Sequence, residues 1–313
     1  MTGRGEFDVI RAIRAAAAAG EGVVVGIGDD CAVLRGDADS DILLTTDLLL
    51  EGRHFRADAA PEDIGWKSLA VSVSDIAAMG GRPRHAVVAV ALRREHTGEF
   101  ADRLTRGLLD CAARYDCALV GGDTNATEGP LVVCVTLTGT VPRGGAVLRS
   151  GARPGDAICV TGALGGSLAG RHLRPVPRVA EAAALVAGGA VHAMIDVSDG
   201  LSSDLGHIAR ESGVAAEVWA DRVPVHPDAV AASHAGGRTP LEHALHDGED
   251  FELCFTVPAE RAAGLVVHGL AGTPVAHVGR IHEGHGVAML DRQDASCSTQ
   301  VLLPGGFDHF RRD

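Results

Sequence analysis

The chain has 313 residues, 41 acidic against 28 basic side chains, a formal net charge of −13 and 46% hydrophobic residues. That length suits about two domains of 100–200 residues, and the apolar fraction is that of a globular chain. The acidity excludes a general electrostatic footprint for nucleic acid or anionic lipid. The few aromatics (Phe 7, Trp 2, Tyr 1) argue against base-stacking platforms, so a polyanionic substrate must be received by a local device such as a metal ion.

The N-terminal stretch carries an alanine run at 15–19 between arginines and glycine-glutamate, too short and too charged for a signal or membrane-spanning segment, and a cytoplasmic location is expected. From 23 onward, VVVGIGDDCAVL and DILLTTDLLLEG read as strands. PEDIGWKSLAVSVSDIAAMG mixes β-branched and helical residues, but its length and Pro-Glu-Asp opening predict a helix ending at Gly80-Gly81. HAVVAVAL is a strand, GEFADRLTRGLLDCAARYD a helix, CALVGG and PLVVCVTLTGTV strands. The stretch 142–156, rich in glycine, proline and arginine without a period, marks a boundary. A second series follows: strands in DAICVTG, AMIDVSD, AAEVWADRVP, DFELCFTVP, VAHVGRI and GVAMLD, and helices in RVAEAAALVAGG, GLSSDLGHIARESG and AERAAGLVVHGLAG. The expected fold class is α+β in two domains, 1–145 and 146–313.

Seven cysteines, an odd number with no C-x-x-C pair, read as reduced thiols rather than a disulfide framework or zinc site. The aspartates carry more. Asp29 and Asp30 follow Gly-Ile-Gly, Asp47 follows ILLTT, Asp75 interrupts AVSVSDIAAM, Asp123 follows LVGG, and Asp196 and Asp199 flank the end of AMIDVS. A single Asp at such a place is a turn or helix cap, which is how Asp63 and Asp228 read. Six clusters at converging strand ends would repel one another unless cations sat among them, and hard divalent ions with oxygen ligands are the economical answer. Thr45 and Thr46 add oxygens. The pairs His243/His246 and His282/His285 have chelating spacing but lie in surface-like segments, so magnesium or manganese is preferred over zinc.

Glycine completes the pattern. G-I-G-D-D, G-G-D-T, T-G-A-L-G-G-S and S-D-G-L place glycine where backbone amides can approach phosphate oxygens, although none is a P-loop or a dinucleotide fingerprint. Arg149 is the side-chain cation best placed in sequence to reach phosphates. There is no G-x-S-x-G elbow, H-E-x-x-H motif or local nucleophile–base pair. That suits an attacking group needing no deprotonation, such as a phosphate monoester, whose second pKa is about 6.

In collinear order from residue 5 to 310, the motifs GIGDDCAV, TTD, EGRHF, KSLAVSVSDIAAMG, GGDT, RSGARPGD, IDVSDGL, DLGHI, GEDFEL and GFDHF resemble the thiamine-monophosphate kinase family, within the aminoimidazole ribonucleotide synthetase-like superfamily. The resemblance implies an N-terminal α+β domain whose strands form a barrel at a homodimer interface, a C-terminal α+β domain, and ATP in the cleft. It implies magnesium ligands at Asp30, Thr45, Thr46, Asp47, Asp75, Asp123, Asp196 and Asp199. Nucleotide contacts fall at Gly122, Asp123, Arg149 and Ser198, and thiamine monophosphate contacts at His54, Glu249 and Phe307. The reaction implied is direct transfer of the terminal phosphate of ATP to the substrate phosphate, with several magnesium ions, no acid–base residue, and a monovalent cation such as potassium as a further cofactor. Glu249 would face the cationic thiazolium and Phe307 the rings. The chain departs from the family at Asp247, which replaces the first glycine of G-G-E-D, and at Phe307, where Trp or Tyr is usual. A purine-pathway amidine-forming enzyme and a non-catalytic metal- or nucleotide-binding regulator remain as alternatives.

Overall fold

The structure is a computed structural model describing residues 6–18, 20–291, 300–302 and 305. The predicted Phe307 contact therefore lies outside the described residues.

After helix α1 (Glu6–Ala16), strands β1 (Val23–Val25), β2 (Ala32–Arg35) and β3 (Ser40–Leu50) lead into helix α2 (Pro61–Ala78). Strand β4 (Arg82–Leu92), helix α3 (Glu99–Arg114), β5 (Ala118–Ala126) and β6 (Val132–Pro142) follow. These strands form one sheet in the order β1-β2-β3-β6-β4-β5. Its pairings are antiparallel except β4 with β5, whose parallel return is made by the α3 crossover. The stretch expected as one strand from 23 to 34 is instead β1 and β2, which pair antiparallel with each other, because the chain reverses at the glycine-rich G-I-G-D-D between them.

The second sheet comprises β7 (Ala157–Thr161), β8 (Ala193–Asp196), β9 (Ala215–Trp219), β10 (Leu253–Val257), β11 (Val275–His282), β12 (Gly286–Leu290) and β13 (Gln300–Val301). Its order is β13-β12-β9-β11-β7-β10-β8, mixed through the parallel β12–β9 pair. Helices α4 (Val179–Ala187), α5 (Leu201–Ser212), α6 (Pro227–Ala235), α7 (Pro240–His246) and α8 (Ala259–His268) intervene. Both halves are thus α+β. Among the described residues no closed barrel forms: β1 and β5 are the two edges of an open sheet.

Helix α2 is the element around which the halves assemble. Proline at its first position and Glu62 and Asp63 in its first turn suit a helix start, and tertiary packing overrides its β-branched content. Nearly every face is covered, by β3, β6, α3, α4 and β8. Against α3 the backbones touch: a Cβ on Gly65 would stand 2.0 Å from the Leu104 carbonyl oxygen, and one on Gly107 1.9 Å from that of Glu62. The C-terminal end of α2 (Ala77, Ala78) packs with Met194, Leu253 and Phe255 in a core belonging mainly to the second sheet.

Candidate functional site

Four elements bring aspartates together. Asp30 lies in the β1–β2 turn, Asp47 on β3, Asp75 on α2 and Asp196 at the end of β8. Carboxylate oxygens of Asp30, Asp75 and Asp196 lie within 4.8 Å of one another. Hydroxyls hold the cluster in place: Thr45 donates to Asp75 (2.5 Å), Ser72 to Asp47 (2.6 Å) and Ser74 to Asp196 (2.5 Å). Both serines, like Asp75, belong to α2, so one helix aims three polar side chains at two elements, β3 and β8.

The cation in this cluster is Arg149. Its guanidinium donates to Asp30 at 2.6 Å and its main-chain N–H to Asp29 at 3.1 Å. Asp30 Oδ2 and Arg149 Nε are buried and have no hydrogen-bond partner among the described residues. Burial, then the charge of Asp30, pushes Asp29 up to about 7 and Asp196 up to about 8. Burial likewise raises Asp47 and, with its aspartate neighbours, lifts Asp75 well above the ordinary carboxylate range. One guanidinium therefore does not neutralise the cluster. An orphaned buried carboxylate oxygen and an all-oxygen donor set fit hard divalent cations. The neighbouring Cys31 thiol is pushed up by burial and by Asp75, so it stays protonated and is a poor ligand.

Ligand atoms of Asp199, Asp204 and His207 form a second group within 4.8 Å. Asp204, fully buried at the first turn of α5, accepts the Asp199 main-chain N–H, and burial followed by Asp199 raises it well above its ordinary value. His207 is driven down to about 3 by burial and then by Arg149, leaving a neutral imidazole. Sequence reading gave Asp204 no role. Its spacing of five from Asp199, across a helix start, was the available signal.

From Asp47 and Asp199 a cavity of about 660 Å³ runs to His54, Lys67, Glu249 and Phe251. Glu249 sits in a turn with φ +51°, directly after Gly248 at φ +71°. A Cβ on Gly248 would meet the Ser198 carbonyl at 2.4 Å, and Glu249 N–H donates to that same oxygen at 2.7 Å. The Glu249 carboxylate is not bare: Lys67 donates to both its oxygens (2.7 and 2.8 Å) and His172 Nδ1 lies 2.9 Å away. Burial favours its neutral form, yet His172 and Lys67 outweigh this and hold it below the ordinary carboxylate range. Lys67, fully buried, is a site residue that sequence reading passed over.

Other predicted residues separate from this centre. Strand alternation turns the exposed Thr46 hydroxyl away from Thr45, toward Val135 O and Thr136. Gly122 and Asp123 lie on the exposed edge strand β5, where Asn125 donates to Asp123; Asp123 is in neither acidic group. Ser198 lies at the cavity wall. The loop A-L-G-G-S is no phosphate cradle, because carboxylates already occupy its amides: Gly165 N–H goes to Asp250 and Gly166 N–H to Asp247. Asp247, in the glycine position of the family motif, thereby fastens that loop, with Arg238 (2.8 Å) and His243 (2.9 Å) on its other sides. Among the described residues neither histidine pair belongs to a group of metal-ligand type: His243 faces Asp247, His246 contacts Ser202 and His282 stands 3.6 Å from Glu217. The six described cysteines are free thiols, and among the described residues no helix is long and apolar enough to cross a membrane.

Residues 28–141 match the AIR synthase related protein N-terminal domain, and 153–291 the AIR synthase related protein C-terminal domain. The chain is 43% identical over 299 residues to the thiamine-monophosphate kinase of Rhodopirellula baltica, covering 93% of each, and 40% identical over 281 residues to that of Escherichia coli, covering 83% of this chain and 84% of the relative. Among solved structures it is similar to AaThiL complexed with AMPPCP and TMP, with a TM-score of 0.84, 32% identity, and coverage of 99% of this chain and 100% of that one. It also resembles thiamine-monophosphate kinase from Stenotrophomonas maltophilia, with a TM-score of 0.74, 36% identity and coverage of 93% and 98%. The Escherichia coli hydrogenase maturation protein HypE, 20% identical with a TM-score of 0.68, shares the fold.

Proposed function

Because the chain belongs to the thiamine-monophosphate kinase family and is a phosphotransferase built from AIR synthase related domains, we propose that it transfers the terminal phosphoryl group of ATP directly to the phosphate of thiamine monophosphate. The observation that carries this reading is the convergence of Asp30, Asp75 and Asp196, with one orphaned carboxylate oxygen, beside Asp47, which itself lines the cavity that reaches His54 and Glu249.

Magnesium would be held by Asp30, Asp47, Asp75 and Asp196, with Thr45, Thr46, Asp123 and Asp199 as the further ligands of this reading. Bound magnesium would supply charge neutralisation for two approaching polyanions and for the transferring phosphoryl group. Arg149, already fixed by Asp29 and Asp30, presents a guanidinium edge for nucleotide phosphates, with Gly122 and Ser198 as the other contacts. Thr45, Ser72 and Ser74 lock the carboxylates in orientation, so the site needs little rearrangement at reaction. No chain residue has to take a proton, since the attacking phosphate is largely dianionic at neutral pH.

The same reading includes a cytoplasmic homodimer and a requirement for a monovalent cation such as potassium. For the dimer the support is the apolar residues that the first sheet leaves exposed, Leu48 on β3, Val87 on β4 and Val120 on the edge strand β5, at 53%, 42% and 59%.

Incubation with ATP, magnesium and thiamine monophosphate, with products resolved chromatographically, tests the activity. ADP and thiamine diphosphate should form in equal amounts; no turnover across a range of magnesium and potassium concentrations overturns the reading.

A further inference from the structure

Lys67 is wholly buried, and its ammonium lies within hydrogen-bonding distance of three groups: the His54 carbonyl oxygen (2.5 Å), His172 Nδ1 (2.9 Å) and the Glu249 carboxylate (2.7 and 2.8 Å). These neighbours come from three segments: the loop after β3, the segment joining β7 to α4, and the turn before β10. The three protons of the buried ammonium can go to the His54 carbonyl and the two Glu249 oxygens, its charge is balanced by that one carboxylate, and His172 Nδ1 packs against both groups as a further donor to Glu249. Two buried cations are thus divided between two centres. Arg149 serves the acidic centre, and Lys67 serves Glu249.

Two further features give this contact a purpose beyond joining segments. Glu249 holds a left-handed backbone that non-glycine residues rarely adopt, a conformation that persists only where its surroundings over-determine it. Lys67 also shares α2 with Asp75, eight residues on. At 1.5 Å per residue that is about 12 Å along a rigid helix. One element therefore fixes the spacing between the substrate end of the cleft and the acidic centre.

We infer that Lys67 is a positioning residue for the non-phosphate half of the substrate: acting through Glu249 and the His54 backbone, it sets affinity for thiamine monophosphate while leaving nucleotide and metal binding to the other end of the cleft. This inference rests on the proposed activity. It predicts a split in the steady-state constants that a purely structural lysine would not produce. In Lys67→Met, KM for thiamine monophosphate should rise at least thirtyfold, while KM for ATP stays within threefold of wild type and kcat at saturating substrate within about fivefold.

Because Lys67→Met alone leaves a buried carboxylate without its cation and is liable to misfold, the decisive comparison uses Glu249→Gln and the double variant Lys67→Met/Glu249→Gln. If Lys67 acts through Glu249, adding Lys67→Met to Glu249→Gln changes KM for thiamine monophosphate less than threefold. Multiplicative effects of the two substitutions, or KM values for ATP and thiamine monophosphate that rise together, overturn the inference. An inactive wild-type protein overturns the proposed activity instead, and nucleotide binding to the same variants by calorimetry separates the two failures.

Discussion

Arg149 clamps both members of the Asp29-Asp30 pair, its guanidinium on Asp30 at 2.6 Å and its main-chain N–H on Asp29 at 3.1 Å. Burial alone would depress the Arg149 pKa, yet Asp30, above all, holds it above the ordinary arginine range. In Arg149→Met the cluster loses its counter-charge. KM for ATP should rise and kcat/KM fall by about 10²–10³-fold, as expected for losing a charged contact in a desolvated site. Arg149→Lys should recover less than a tenth of that, because an ammonium keeps the charge without the planar fork. Steady-state kinetics on the three proteins check this, and full activity in Arg149→Lys would rule out a role for the fork.

The raised aspartates make the metal-free protein pH-sensitive in a definite direction. Asp29 is pushed to about 7 and Asp196 to about 8, above their unfolded values, so the folded chain holds protons that the unfolded chain releases. Their contribution to stability is fully present below about pH 4 and is lost as pH rises through 7 and 8. Asp196→Asn removes one such group. Without magnesium it should raise the melting temperature by roughly 5 °C at pH 8.5 and leave it nearly unchanged at pH 5. Added magnesium should stabilise wild type more at pH 8.5 than at pH 5. Scanning calorimetry at the two pH values decides it, and an equal effect at both would contradict the assignment.

Activity and stability should part company at Asp47 and Asp123. Asp47 is raised by burial and by Asp30, so Asp47→Asn relieves repulsion: turnover should fall at least 10³-fold while melting temperature holds or rises. Asp123 is exposed on β5, so Asp123→Asn should leave the melting temperature within about 1 °C. On the metal-ligand reading its turnover should still fall at least a hundredfold. Unchanged turnover removes Asp123 from the metal site.

Gly107 gives a test of packing against propensity. Alanine at an exposed helix interior position should stabilise by about 1 kcal/mol. Here its Cβ would stand 1.9 Å from the Glu62 carbonyl oxygen, a backbone atom that cannot turn aside. Gly107→Ala should instead destabilise by about 2–3 kcal/mol, the range of core overpacking, measured by urea denaturation. A gain would mean that α2 and α3 separate more easily than their contact implies.

Much of the secondary structure was legible because periodicity and breakers agreed. The length and Pro-Glu-Asp opening of α2 prevailed over its β-branched residues. The capping box Thr239–Glu242, with proline at the first helical position, announces α7, yet its seven residues are too few for a convincing period. The stretch 23–34 misled because the apolar runs on either side of G-I-G-D-D look continuous, whereas the chain turns back there and the two runs pair with each other.

The sequence by itself singled out the aspartates and the hard-cation chemistry that suits them, since residue type fixes charge and ligand chemistry. But it put them at strand ends, whereas Asp47 and Asp123 lie within β3 and β5, Asp75 within α2, and Asp196 alone ends a strand. It also carried the family, through collinear motifs. Tertiary structure alone decided which groups meet. Side-chain direction on β3 separates Thr45 from Thr46, and burial turns Ser72, Ser74 and Lys67 of α2 from unremarkable helix residues into partners of Asp47, Asp196 and Glu249. Carboxylates, rather than phosphate, take the amides of the A-L-G-G-S loop. The physical reason is the same in each case: charge and propensity are local, whereas desolvation and hydrogen-bond partnership depend on which distant segments pack together.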